Sequence, residues 1–237
     1  GTTERIVSVK SGKQKIVANT KPTEEKHVEK IVKGGKAEKS GVSWVAKFPA
    51  STDIAMLESE FGKDLKAFIA ALEEGGITVR IATTYRPPQR SYLMYWCQKI
   101  SDGKISAEKV KPFVPEVEGD APVNIDWTHV DANGKPDLEV AKKAAEEMRG
   151  AFGIGTRPVG KPYKSNHNFK KAKAVDMQFI PHWGIGKSVK DKTGNLIEIK
   201  ERQDLFAVGK SYGVTHWDLR PNKNAIKDDV HWSREGN

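Results

Sequence analysis

His167, Asp176 and His231 offer two imidazole nitrogens and a carboxylate oxygen. That is the donor set of a catalytic zinc site, in which three protein ligands hold the ion and the fourth tetrahedral position stays open for water or a substrate oxygen. The first two lie on one short segment, Ser165–Asp176 (SNHNFKKAKAVD). The third lies near the end of the 237-residue chain, in Asp228-Asp229-Val230-His231-Trp232. Taken singly, a histidine or aspartate in a basic protein is more often a hydrogen-bonded polar residue than a ligand. Two other histidines compete for a ligand position, His182 beside Trp183 and His216 beside Trp217, whereas His27 and His129 stand in no such context.

The order of residues around these three resembles the zinc D,D-peptidases, a family of D-alanyl-D-alanine carboxypeptidases, D,D-dipeptidases and the L-alanyl-D-glutamate endopeptidases of phage endolysins. Members carry S-x-H-x-x-G-x-A-x-D for two ligands, an acid three residues before a later histidine, and an upstream Tyr-Arg. Ser165, His167, Ala174 and Asp176 follow the first pattern, Asp228 and His231 the second, Tyr85 and Arg86 the third. Between His167 and Asp176 the chain has two residues more than the family spacing, and Lys170, Lys171, Ala172 and Lys173 replace the glycine turn. The motifs are short but jointly specific in their order, and the resemblance runs from about Trp44 to Trp232 with a long insertion.

That resemblance implies an α+β fold of the hedgehog and D,D-peptidase type, a small antiparallel sheet flanked by helices. It implies one zinc ion held by His167, Asp176 and His231. Asp228 would be the general base, taking the proton of the attacking water and passing it to the leaving amine. Arg86 would steady the oxyanion, and Ser165, Tyr85 and Trp217 would border the substrate. The implied substrate is the peptidoglycan stem peptide, cut within the chain at an L-alanyl-D-glutamate or D-amino-acid bond. A D,D-carboxypeptidase or dipeptidase is the alternative within the family, and a non-catalytic basic module that binds wall polymers is the alternative of another class. Either enzyme would act in the periplasm or outside the cell, on the bacterial wall.

Composition sets the frame for these residues. The formal charge is +9 and 37% of residues are hydrophobic, which suits a globular enzyme attracted to polyanions such as anionic cell-envelope polymers. No nucleic-acid-binding motif accompanies the charge, so specific nucleic-acid recognition is not expected. No stretch approaches the roughly 18 apolar residues of a membrane span. The opening Gly1-Thr2-Thr3-Glu4-Arg5 has no apolar core of a signal peptide. Lysines recur from Lys10 to Lys39 with few apolar residues between them, so residues 1–40 read as a basic linker or an arm that docks to another protein or domain. Within that arm Glu24–Val32 could form a short helix and Ile6–Val17 a weak strand pair. Residues 41–237 then form the peptidase domain, with an insertion over about 100–160 shaping its cleft.

The elements that must position the site follow from periodicity. Leu57, Phe61, Leu65, Phe68, Ile69 and Leu72 recur at three and four, marking a helix from Asp53 to the Gly75-Gly76 stop. Ile77–Ala82 alternates as a strand, and Arg86 follows at its exit, where an arginine paired with a surface carboxylate is the other reading. A helix after Pro87 and Pro88 carries Cys97, the sole cysteine, read as a buried small hydrophobe. A further helix spans Pro136–Arg149 with Leu138, Ala141, Ala145 and Met148 on one face. Asp176 heads an apolar strand, a hairpin joins Val189 to Ile197–Ile199, and a helix over Glu201–Tyr212 stops at Gly213. On the last strand Asp229 and His231 are expected to face the same way, with Asp228 at the loop end. Trp232 reads equally as pocket wall or core.

Overall fold

In the computed structural model, which describes residues 36–220 and 228–237, twelve elements follow in order. They are β1 (Glu38–Lys39), α1 (Ser59–Glu74), β2 (Thr78–Thr83), α2 (Pro88–Ser101), β3 (Ile125–Asp126), α3 (Leu138–Phe152), β4 (Ala174–Ile180), β5 (Ser188–Lys190), β6 (Leu196–Glu198), α4 (Arg202–Ser211), β7 (Thr215–His216) and β8 (His231–Ser233). Most of the basic arm expected over residues 1–40, with its suggested helix and strand pair, lies outside the described residues. The architecture is α+β, and none of the described helices is long and apolar enough to cross a membrane.

Contacts divide the described residues into two compact units, one of 36–49 with 88–164 and the other of 50–87 with 165–220 and 228–237. Each has its own apolar core. In the first unit Tyr92, Leu93, Cys97 and Ile100 of α2 share a core with Ala141, Ala145 and Met148 of α3. All of α2 therefore belongs to this unit, whose later segment begins at Pro88. Burial pushes the Cys97 thiol up to about 12, so it behaves as an inert hydrophobe. Leu138 departs from the expected buried face. It opens the first turn of α3, ahead of the residues that meet α2, and is 41% exposed. β1 pairs in parallel with β3, so among the described residues regular structure begins at Glu38.

The second unit carries the candidate site. Phe61, Leu65, Phe68 and Leu72 of α1 are fully buried, and each such side chain contributes roughly 1.5–3 kcal/mol, which outweighs any single propensity term in that helix. Gly76 ends the segment with φ 85°, a left-handed conformation that costs glycine nothing. The sheet order is β2-β4-β8-β7, each neighbouring pair antiparallel. β5 and β6 form the expected hairpin, its turn held by the Asp191 carboxylate, which accepts the N–H groups of Thr193 and Asn195 at 2.9 Å each. Trp232 is core. It is fully buried, with the rings of Phe68, Phe179 and Phe206 centred 5.6, 5.7 and 5.7 Å away.

Candidate metal centre

Asp176 on β4 and His231 on β8 are register partners across the antiparallel ladder. Directly opposed residues project to the same face of a sheet, so one strand pairing brings two donors together. His167 arrives from a 3-10 turn, Asn166–Asn168, whose N-cap is Ser165. The Ser165 hydroxyl accepts the His167 N–H at 3.2 Å. The turn is then fixed to the strand exit beside it: Arg86 N–H donates to the His167 carbonyl at 2.7 Å, and the Asn168 side-chain amide donates to the Arg86 carbonyl at 3.1 Å.

The lysine-rich stretch between His167 and Asp176 leaves the two side chains within hydrogen-bond distance. Lys171 adopts φ 61° and donates its N–H to the Met56 carbonyl at 2.8 Å, while the Ala172 carbonyl accepts the Glu58 N–H at 2.9 Å. This bridge to the segment before α1 takes up the slack, and the chain re-enters β4 at Ala174.

The geometry at the centre is close. His167 Nε2 lies 3.0 Å and His231 Nδ1 3.2 Å from the same oxygen, Asp176 Oδ1, and one ligand atom from each residue lies within 4.8 Å of the others. Donors placed about 2.0–2.2 Å from a tetrahedral zinc are separated by roughly 3.4 Å, so the set fits such an ion. The ring nitrogens turned away from the carboxylate meet carbonyls: His167 Nδ1 lies 3.4 Å from Thr84 O, and His231 Nε2 lies 3.0 Å from Asn237 O. Main-chain oxygens only accept, so these contacts favour hydrogen on the outer nitrogens, and His167 Nε2 and His231 Nδ1 are the atoms that could turn to a metal in place of the carboxylate.

Both histidines are buried, at 3% and 5% exposure. Burial opposes ionisation of Asp176, but hydrogen bonds from His167 and His231 and their positive charge outweigh it and hold the carboxyl below the usual range. Burial likewise disfavours a charged His231, and the Asp176 hydrogen bond overrides it and raises the imidazole above its ordinary value. An anionic oxygen shared by two imidazoles is the electrostatic arrangement that a divalent cation would replace.

Asp228 stands beside this centre. Its Oδ2 is 4.0 Å from His231 Nδ1, the nitrogen that faces Asp176. Asp229 does not share the face of His231. β8 begins only at His231, so the two-residue period does not reach back to Asp229, whose side chain is 57% exposed and pairs with Arg202 at 3.2 Å. Arg202 also pairs with Asp218 at 2.8 Å, joining the turn after β7 to the turn before β8. Trp217 lies edge-on to His231, ring centroids 5.3 Å apart, with the Arg220 guanidinium 3.6 Å over its indole. Tyr85 is half-buried, its carbonyl accepting Ser51 N–H at 2.7 Å, and Lys170 Nζ lies 6.0 Å from its ring. Arg86 is half-buried.

The competing histidines lie elsewhere. His216 is fully buried, stacked on Phe206 at 4.0 Å, with Nε2 donating to the Asp229 carbonyl at 2.8 Å and Nδ1 accepting the Asp218 N–H at 3.1 Å. His182 is exposed. Neither belongs to the three-residue group. Sequence reasoning did not reach Thr84, Asn237, Arg202 or Asp218. The first two act through main-chain oxygens, which every residue possesses, and the arginine and aspartate lack a motif.

No protein-family model and no curated protein matches the chain. Among solved structures, one similar chain is a zinc(II) complex of a mutant of the vancomycin-resistance D,D-pentapeptidase VanY from a VanB-type cassette. It shares 14% identity, with 84% of this chain and 85% of that one covered, at a TM-score of 0.34.

Proposed function

We propose that this protein is a zinc-dependent peptidase that hydrolyses peptide bonds in peptidoglycan stem peptides. The observation that carries the reading is the convergence of His167 Nε2, Asp176 Oδ1 and His231 Nδ1, with the Asp228 carboxylate 4.0 Å from the last of these. A zinc ion bound there would supply a Lewis acid that polarises the scissile carbonyl and makes water acidic enough to react near neutral pH.

The chain's own residues do the rest. Asp228 accepts the proton of the attacking water and delivers it to the leaving nitrogen, a role worth typically 10²–10⁴-fold in rate. Arg86, held at the strand exit by its main-chain bond to His167, presents a guanidinium to the oxygen on which negative charge develops. Trp217 and Tyr85 border the substrate. Ser165 keeps the His167 turn in place through its cap, leaving its hydroxyl hydrogen for the substrate. Cleavage within the stem peptide, at an L-alanyl-D-glutamate or D-amino-acid bond, is the favoured outcome, in the wall outside the cytoplasm, where the net charge of +9 draws the protein to anionic envelope polymers. Lys170, near Tyr85, is a cation suited to a terminal carboxylate and supports carboxypeptidase action as the second reading.

Mass spectrometry of purified muropeptides after incubation with the zinc-loaded protein tests this directly. Internal cleavage abolished by a chelator supports the favoured reading, and release of terminal D-alanine alone supports the second. Intact muropeptides under zinc-replete conditions overturn both.

A further inference from the structure

The main-chain oxygen of Asn237 touches both histidine-bearing segments of the site. It lies 3.0 Å from His231 Nε2 and accepts the Asn166 side-chain amide at 2.7 Å, next to His167. The segment that delivers it is held at several points. Arg234 donates its N–H to the Lys173 carbonyl at 3.1 Å and its guanidinium to Asp64 at 2.6 Å. Gly236 is buried with φ 86°, and a Cβ there would stand 3.1 Å from the His216 carbonyl and 3.3 Å from Thr215 Cγ2. Ser233 Oγ reaches Asn237 Oδ1 at 3.4 Å.

We infer that the Asn237 carbonyl is a positioning group for the metal: it fixes His231 as the Nε2–H tautomer, aims Nδ1 at the ion, and through Asn166 ties the His167 turn to the same point. The physical reason is geometric. An imidazole held only by its Cβ can rotate about χ2, which turns a ring carbon to the place of each nitrogen, and it can carry its hydrogen on either nitrogen; a main-chain oxygen that accepts from Nε2 removes both freedoms. Sharing one oxygen between Asn166 and His231 also locks the separation of the two ligand-bearing segments, which the β4–β8 ladder alone does not control, because His167 lies outside the sheet.

This inference rests on the metal reading above, and the test separates the two. Zinc affinity is measured by competition with a chromophoric chelator for three proteins: the unaltered chain, a variant shortened by deletion of Gly236 and Asn237, and Asn166→Ala. Loss of an outer partner of a ligating histidine typically weakens metal binding about 10–100-fold, and that range is expected for the shortened variant. Removing the single Asn166 bond is expected to weaken it about fivefold. The absorption bands of the cobalt(II)-substituted proteins and the His231 tautomer, from long-range nitrogen–proton NMR of the zinc-loaded forms, report ligand geometry independently of hydrolysis. Cobalt bands and tautomer should change in the shortened variant while its circular dichroism stays that of the unaltered chain.

Failure of the unaltered chain to bind zinc overturns the metal reading and this inference with it. Zinc bound by the unaltered chain, with the same affinity and cobalt spectrum in both variants, overturns the inference alone. Should the shortened variant fail to fold, Asn166→Ala decides by itself: undiminished affinity there removes the tie.

Discussion

Asp176 and His231 face each other across two antiparallel strands, and one oxygen of the carboxylate receives both that histidine and His167. The strand register therefore sets one ligand distance while a capped turn sets the other. Asp176→Asn keeps the shape of this acceptor and removes its charge. Zinc affinity should fall by at least about 100-fold, the upper end of what loss of a mere outer partner costs. Isothermal titration of the variant measures it, and binding as tight as in the unaltered chain would remove Asp176 from the ligand set.

Asp228 sits 4.0 Å from His231 Nδ1, the nitrogen that faces Asp176. Asp228→Asn should leave zinc stoichiometry at one while lowering turnover of a stem peptide about 10²–10⁴-fold. Metal analysis and a peptide-release assay on the same sample separate the two effects. Full activity in this variant excludes Asp228 as the base.

Burial holds the His216 imidazole below its ordinary value of 6.5, against the opposing pull of the Asp229 carbonyl. The unfolded chain thus takes up a proton before the folded one does. The stability involved is whole above pH of about 6.5 and declines as pH falls through that value, by at most about 1.36 kcal/mol per pH unit. His231 has the opposite sign in the metal-free protein: its value is raised, so its contribution is present below 6.5 and lost as pH climbs through the folded value. Urea midpoints from pH 8 to 5.5, compared between the unaltered chain and His216→Phe, isolate the first effect. The variant should lose less of its midpoint over that range, and parallel curves would refute a buried neutral His216.

Gly209 lies in α4 where a Cβ would fall 2.6 Å from the Trp232 ring and 2.7 Å from the Val214 carbonyl. Neither neighbour can retreat, since Trp232 is enclosed by aromatic rings. Gly209→Ala should therefore lower stability by about 1–3 kcal/mol, exceeding the roughly 1 kcal/mol that alanine contributes in a helix. A thermal melt reads the sign, and a stabilised variant would show the core to be looser than the distances indicate.

Much of the frame was legible in the residue pattern. The spacing of Phe61, Leu65, Phe68 and Leu72 and the Thr193-Gly194-Asn195 turn lead to the observed helix and hairpin because local periodicity and turn chemistry act over a few residues. The order of His167, Asp176 and His231 marked three side chains that the fold brings within reach of one another. Other features needed tertiary information. The lysine-rich stretch after His167 reads as a misfit in spacing until its pairing with Met56 and Glu58 is known. Asp229 obeys a strand period only if the strand extends that far, and its pairing with Arg202 draws it outward. The unit boundary at Pro88 is set by which core receives Tyr92 and Leu93, and no composition shift announces it.

The main-chain bond from Arg86 to His167, with the Asn168 amide returning to the Arg86 carbonyl, has a consequence for how this chain can change. The backbone departs from the unit of the candidate site after Pro87 and comes back at Ser165, so these bonds draw the neck of that excursion shut. With the neck already fastened, doubling the length of chain between its two ends costs only about 0.6 kcal/mol of closure entropy. Residues 88–164 are thus an excursion whose two ends are held together inside the unit that gathers His167, Asp176 and His231, so its length can change at little cost in closure entropy.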